Sequence, residues 1–214
     1  MLRTTTALIA LTIASPALAE WELSFYLGYQ TAPHSDVEGT IPGTGAFSEF
    51  VKWEGRPFDM PPYYGLRATR WLNETTGVAF ELNHAKVYAS DEDLTALGFS
   101  DLEFTDGLNL LTVNYMRRFP DAARRFVPYV GAGAGLSIPH VDVSNGTSTT
   151  FEYQITGPAV VWIAGASYPF NETWSGFVEY KGSYSMNEAD LDGGGVLETD
   201  IITNALNFGI SYNF

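Results

Sequence analysis

The chain has 214 residues, no cysteine and a formal net charge of −14. The missing cysteines exclude disulfide scaffolds, thiol catalysis, thiolate zinc sites and iron–sulfur clusters. The acidity argues against nucleic acid as a partner, because phosphates need a basic surface.

Met1–Arg3 form a short basic start, Thr6–Ala14 a brief apolar stretch, and Ser15–Ala19 ends in an A-x-A site. This is the pattern of a bacterial secretory leader, too short for a membrane span, with cleavage expected after Ala19. The roughly 195 residues that follow fit one domain. They hold no run of about 18 apolar residues, so no transmembrane helix is legible. Aromatics at 14%, 21 glycines and only 17% charged residues suit a β-barrel better than a soluble enzyme.

From Glu20 the chain alternates with period two. Trp21, Leu23, Phe25, Leu27 and Tyr29 form an oily face, and Glu22, Ser24, Tyr26, Gly28 and Gln30 a polar one. The pattern recurs over Tyr63–Leu72, Gly77–Ala89, Gly107–Arg118, Phe126–His140 and Trp174–Ser185. In Ile201–Phe214 the oily face is Ile202, Leu206, Phe208, Ile210, Tyr212 and Phe214. Phe151–Tyr168 is apolar on both faces near its middle, and its facing stays open. Segments of about 9–11 residues with aromatics near their ends match membrane-spanning strands. Short polar turns (Asn73–Thr76, Pro120–Arg125, Pro169–Thr173) alternate with long loops (Ala32–Pro62, Ser90–Asp106, Val141–Thr150, Met186–Asp200). That asymmetry belongs to outer-membrane barrels. The expectation is an all-β, eight-stranded antiparallel transmembrane β-barrel over 20–214, exported through the periplasm to the outer membrane of a Gram-negative bacterium. A terminal Phe214 on an alternating strand resembles the signal read by the barrel assembly machinery.

No dinucleotide fingerprint, phosphate loop, nucleophile elbow or HExxH motif is present. The inner face carries Glu22, Arg67, Glu81, Glu179 and Lys181. These read either as a salt-bridged plug filling a narrow lumen or as a buried acid/base pair serving a substrate. Continuing the outward parity beyond Leu82 gives His84 and Lys86. Neighbouring strands add Asn109 and His140, so the four are expected to cluster outside the barrel near the extracellular interface. A titratable group at that depth is costly and tends either to snorkel or to have a task. Lys86 is expected to meet an acidic headgroup, and His84 or His140 to act as a base. The bland alternative is an ordinary interfacial set touching lipopolysaccharide. Acidic residues (Asp91, Glu92, Asp93, Asp101, Glu103; then Asp190, Asp192, Glu198, Asp200 around Gly193–Gly195) can hold a divalent cation such as calcium, magnesium or manganese. Their spacing does not match an EF-hand, and the reading put first is solvated loops. The run Trp53–Tyr64, with Arg56, is a cap for the barrel mouth, a stacking surface for a sugar, or a rigid lead-in to the next strand.

The stretches TAPHSDVEG (Thr31–Gly39), MPPYYGLRAT (Met60–Thr69), NHAKVYA (Asn83–Ala89), LEFTDGLNLLTVN (Leu102–Asn114), PYVGAGAGL (Pro128–Leu136) and YKGSYS…ADLDGGG…LETDIITNALN resemble alphaproteobacterial lipid A oxidases across nearly the whole chain after the leader. The resemblance implies an outer-membrane barrel that uses oxygen to convert the proximal glucosamine of lipid A, once its 1-phosphate is gone, into an aminogluconate unit. It brings no catalytic residues with it. The candidates chosen from the residues are His84, His140, Asn109 and Glu81 for catalysis and Lys86, Arg56 and Arg67 for substrate binding. Lipid A and outer-membrane lipid are the expected partners. The rival reading is a non-catalytic barrel that stabilises the envelope or presents loops for adhesion. A pore is a third and weaker one, because a packed eight-stranded lumen conducts poorly.

Overall fold

The structure, a computed structural model, describes residues 20–41 and 45–214, and the expected leader lies outside them. The described strands are β1 (Glu20–Thr31), β2 (Ser35–Ile41), β3 (Gly45–Val51), β4 (Trp53–Glu54), β5 (Tyr64–Trp71), β6 (Thr76–Ala89), β7 (Asp101–Arg118), β8 (Val127–Ser137), β9 (His140–Ser144), β10 (Thr149–Tyr153), β11 (Gly157–Pro169), β12 (Trp174–Leu191) and β13 (Gly195–Asn213). A short helix, α1 (Asp91–Leu97), lies between β6 and β7.

Eight of these strands form the barrel. β1, β5, β6, β7, β8, β11, β12 and β13 pair antiparallel in that order, and β13 returns to β1. The closing seam aligns Leu23 with Tyr212, Phe25 with Ile210 and Leu27 with Phe208. Period-two patterning drives this arrangement. At membrane depth one face of the barrel strands is exposed and mostly apolar, and the other is buried and largely polar or small. The facings expected from sequence hold in all the spanning segments. β11, whose facing the sequence leaves open, turns Ala159, Val161 and Ile163 inward and Val160 and Trp162 outward.

The four expected long loops are corrected. Met186–Asp200 completes β12 and β13, which run to 18 and 19 residues. Val141–Thr150 supplies the β9–β10 hairpin, Ser90–Asp106 supplies α1 and the start of β7, and Ala32–Pro62 supplies β2, β3 and β4. The physical reason is alternation inside those acidic segments: Val37, Leu102, Phe104, Val141, Val143, Leu191 and Leu197 are all buried. The wall therefore continues above the membrane around an apolar core, each large side chain contributing about 1.5–3 kcal/mol. Side chains complete the wall where strands do not pair. The Gln154 amide accepts from Asp190 N (2.9 Å) and donates to Asp190 O (2.8 Å), joining the end of β10 to β12. Above this core, Ser90 caps α1 by accepting from Asp93 N. Asp93 itself is held below the usual carboxylate range. Its slight burial works the other way, but the Lys52 amide and the Ser90 hydroxyl both donate to it.

At membrane depth the lumen is filled by an ion network. Arg67 grips Glu179 with both terminal nitrogens (2.9 and 2.7 Å) and reaches Glu81 at 3.0 Å. Lys181 Nζ meets the same Glu81 oxygen at 2.7 Å. Tyr26 and Asn114 donate to Glu81, and Tyr129 and Asn207 to Glu179. Two cations balance two carboxylates, so the cluster is neutral. The plug and the apolar core together seal the tube and leave a blind periplasmic vestibule of about 370 Å³ lined by Glu22, Trp71 and Tyr129. Removing one partner strands a buried charge, at a cost of about 3–5 kcal/mol. Arg67→Met is therefore expected to lower the unfolding free energy of the detergent-folded barrel by that order, read as a lower urea midpoint, and an unchanged midpoint would refute the plug.

Candidate functional site

The outer wall changes character along one line. Leu66, Leu82, Leu111 and Leu136 lie side by side across β5, β6, β7 and β8, all exposed. One pleat further toward the extracellular side, Tyr64 is opposite His84 and His84 is opposite Asn109. Ile138 N then donates to Asn109 O at 2.7 Å, and His140 follows Ile138 by two residues. An apolar row thus gives way at once to an aromatic, an imidazole and an amide. That is the order expected where hydrocarbon meets headgroups.

Two irregularities sit at this line. The β6–β7 register shifts between Ala85 and Val87, and Gly107 in β7 has φ +102°. A Cβ at residue 107 would collide with His84 Nδ1, so glycine is required there on both grounds. Bulges of this kind re-aim side chains and are over-represented beside active sites. Here they bring the His84 ring onto Asn109, with Nδ1 and Oδ1 3.0 Å apart.

Parity sets the four on the outward side, and the structure brings His84 onto Asn109, but they do not form an open rim. His84, Lys86 and His140 are 3%, 0% and 5% exposed. Tyr64 stacks on His84 (4.9 Å between centroids, 22° between planes). Phe151 and Tyr153 of β10 pack edge-on to His140 at 4.3 and 4.7 Å. Lys86, expected on an acidic headgroup, instead donates to the Asp59 carbonyl at 2.7 Å and lies over the Tyr88 ring. An ammonium out of water needs such acceptors close by.

Three other candidates lie apart from His84 and Asn109. Arg67 and Glu81 are locked in the lumen plug, on the opposite face of the wall from His84, so neither joins the outer set. Their inward parity decides this. Arg56 pairs with Glu54 at 2.7 Å and lies 4.7 Å over the Tyr88 ring, so its charge is already matched. The remaining histidine, His34, packs against Phe50 at 5.6 Å. Residues that the sequence does not single out include Tyr64, Tyr153 and Gln30. Gln30 Oε1 accepts from Lys86 N (3.2 Å) where β5 has ended. Only the neighbouring aromatic–proline run hints at that break.

The acidic segments do not wrap the glycine turn. Asp91, Glu92 and Asp93 open α1, while Asp190, Glu198 and Asp200 alternate along the exposed face of β12 and β13. Among the described residues no group of three His, Asp or Glu side chains is arranged to hold a metal ion. Glu198 stands directly opposite both Glu38 and Glu188, three like charges in one rung of the sheet. Such pairs are destabilising by roughly 0.2–1 kcal/mol each. Glu198→Gln is accordingly expected to raise the unfolding midpoint at low salt, with the gain shrinking in high salt; a lowered midpoint would contradict it.

Comparison with known proteins agrees with this architecture. The chain is similar in structure to OprG of Pseudomonas aeruginosa (TM-score 0.58, 13% identity, covering 92% of this chain and 96% of that one). It is similar to the outer membrane protein AlkL in lipid bilayers (0.56, 16%, 100% and 97%) and to Neisserial surface protein A (0.52, 13%, 91% and 97%). A search of curated protein sequences found no match. The model of the outer membrane protein beta-barrel domain matches residues 5–214, and the chain belongs to that family, a barrel of the Gram-negative outer membrane.

Proposed function

We propose that this barrel modifies the glycolipid of the outer leaflet, oxidising the proximal glucosamine of lipid A to an aminogluconate unit at the wall formed by His84, Asn109 and His140. The observation that carries the reading is the line where the leucine row gives way to Tyr64, His84 and Asn109, with the β6–β7 register shifting just beyond it. The sequence resemblance to lipid A oxidases supports it independently.

The chemistry required is a two-electron oxidation. The anomeric carbon, freed of phosphate, loses a hydride equivalent and its hydroxyl a proton. Dioxygen takes two electrons and two protons and becomes hydrogen peroxide. Water then opens the lactone, so the sugar gains one oxygen atom overall. In the neutral His84 tautomer set by Asn109 Oδ1, Nδ1 carries the proton and Nε2 is the basic nitrogen. His84 is then the base for the anomeric hydroxyl, and Asn109 positions it. Reaching the ring requires Tyr64 to swing off it. The arrangement offers no ready seat for the divalent cation considered from sequence, and no step is assigned to one.

Mass spectrometry of lipid A from cells with and without the gene tests the proposal. A gain of one oxygen atom that depends on the gene and on air is expected. His84→Ala is expected to abolish it, Asn109→Leu to reduce it by about 10²-fold or more, and Arg56→Ala to leave it unchanged. Identical lipid A in both strains would reject the oxidase. It would favour the envelope-stabilising barrel, for which the sealed lumen and internally matched Arg67 and Lys181 speak.

A further inference from the structure

We infer that the segment Gly55–Pro62 is a lipid-seated wedge, with Phe58 and Met60 entering the boundary between acyl chains and headgroups of the outer leaflet. The inference rests on the barrel fold and not on the oxidase reading.

The strands on either side set its position. β4 pairs with β6 through Trp53–Ala89 and Glu54–Tyr88, and β5 pairs with the same strand from Tyr64–His84 onward. The two are halves of one interrupted strand. The chain between them leaves the wall as Gly55 passes so close to Gln30 O that a Cβ would stand only 2.5 Å away. The excursion goes outward. The Phe58 ring lies 6.3 Å from Tyr29, which is on the lipid-facing side of β1.

The segment is held as a frame. Asp59 N donates to Arg56 O (3.1 Å) and Tyr63 N to Pro57 O (2.8 Å). Lys86 Nζ donates to Asp59 O (2.7 Å), and Arg56 is pinned between Glu54 and Tyr88. Arg56 adopts φ +34°, a conformation a non-glycine residue holds only when its surroundings impose it. On this frame, Phe58 at 73% and Met60 at 82% exposure are the two most exposed large apolar side chains among the described residues. A hydrogen-bonded mount that presents two large apolar side chains this exposed suits insertion into lipid.

Height and continuity name the occupant. The outward residues Trp21 to Tyr29 are eight steps apart along β1. At about 3.3 Å each and a tilt of about 40°, that climb is about 20 Å, inside a belt about 25 Å tall. Tyr29 therefore lies near the top of the belt, and Phe58 extends the same surface sideways. Asp59, between the two apolar residues and exposed, limits the depth to the boundary region.

The absence of cysteine allows a direct measurement. Single cysteines at Phe58→Cys and Met60→Cys are labelled with an environment-sensitive nitrobenzoxadiazole, and the full barrel is placed in phosphatidylcholine vesicles containing doxyl-labelled acyl chains. Leu82→Cys serves as the belt reference and Thr147→Cys, on the exposed β9–β10 turn, as the water reference. Blue-shifted emission and doxyl quenching at both wedge positions, as at residue 82, are expected. Emission like that of residue 147 without doxyl quenching would overturn the inference. So would label-to-label proximity between barrels without lipid quenching, which would assign the surface to a second copy. Should either cysteine variant fail to fold, a label at Tyr29→Cys is read instead, with Phe58 native and with Phe58→Asp. Doxyl quenching that drops with Phe58→Asp is the expected result, and quenching indifferent to that change overturns the wedge. Lipid A is not read in this experiment, so the wedge and the oxidase can fail separately.

Discussion

A backbone inside hydrocarbon has no water to satisfy it, so every amide and carbonyl at membrane depth must find a partner within the chain. The closure of β13 onto β1 meets that demand, and the rest of the molecule is arranged around it. A closed ring of eight strands has a narrow interior. Alternate side chains must fill it, while their neighbours face lipid. The exposed leucines and aromatics outside and the buried polar and small residues inside are two consequences of one geometry.

The interior is filled in two different ways along its length. At membrane depth it holds a neutral ion quartet braced by Tyr26, Tyr129, Asn114 and Asn207. Above the membrane it holds Val87, Phe104, Val141, Leu197 and Ile201, a core of the kind found in water-soluble domains. The upper wall is no longer bathed in lipid, so its outer face can carry carboxylates while its inner face turns oily. The polarity of inside and outside exchanges as the strands leave the bilayer. The clash of Glu38, Glu198 and Glu188 in one rung is a cost of that acidic exterior. At membrane depth the outer wall is the surface that faces lipid.

On that wall, ideal pairing fails where the candidate residues gather. β5 ends at Tyr64, β6 shifts register after Ala85, and β7 turns through Gly107. Gln30 and the Asp59 carbonyl repair the hydrogen bonding around Lys86. The excursion from Gly55 to Pro62 is part of the same disruption, which places the apolar wedge and the His84–Asn109 pair on adjoining patches. A glycolipid seated against one would lie beside the other.

Period-two alternation, together with segment length and the rhythm of short and long connections, determined the barrel and its strand count, and alternation set the facing of all but one spanning segment, because a strand that separates lipid from lumen must write that separation into every second residue. It also determined that Arg67 and Glu81 point inward and His84 outward. The exception, β11, fails because its inward residues Ala159, Val161 and Ile163 are as apolar as its outward ones, and the polar groups that fill the lumen beside them, Ser183, Ser185 and Lys181, come from β12. Acidic residues on the outer face made the upper parts of β12 and β13 look like a loop. What the tertiary structure decided is burial. Parity could set His84, Asn109, Lys86 and His140 on one side of the wall, but Tyr64, Phe151, Tyr153 and the Asp59 carbonyl reach them from other strands and from an excursion that no local pattern encodes. Side chains brought together by strand pairing cover one another, and that depends on register across the sheet, which alternation within a single strand does not contain.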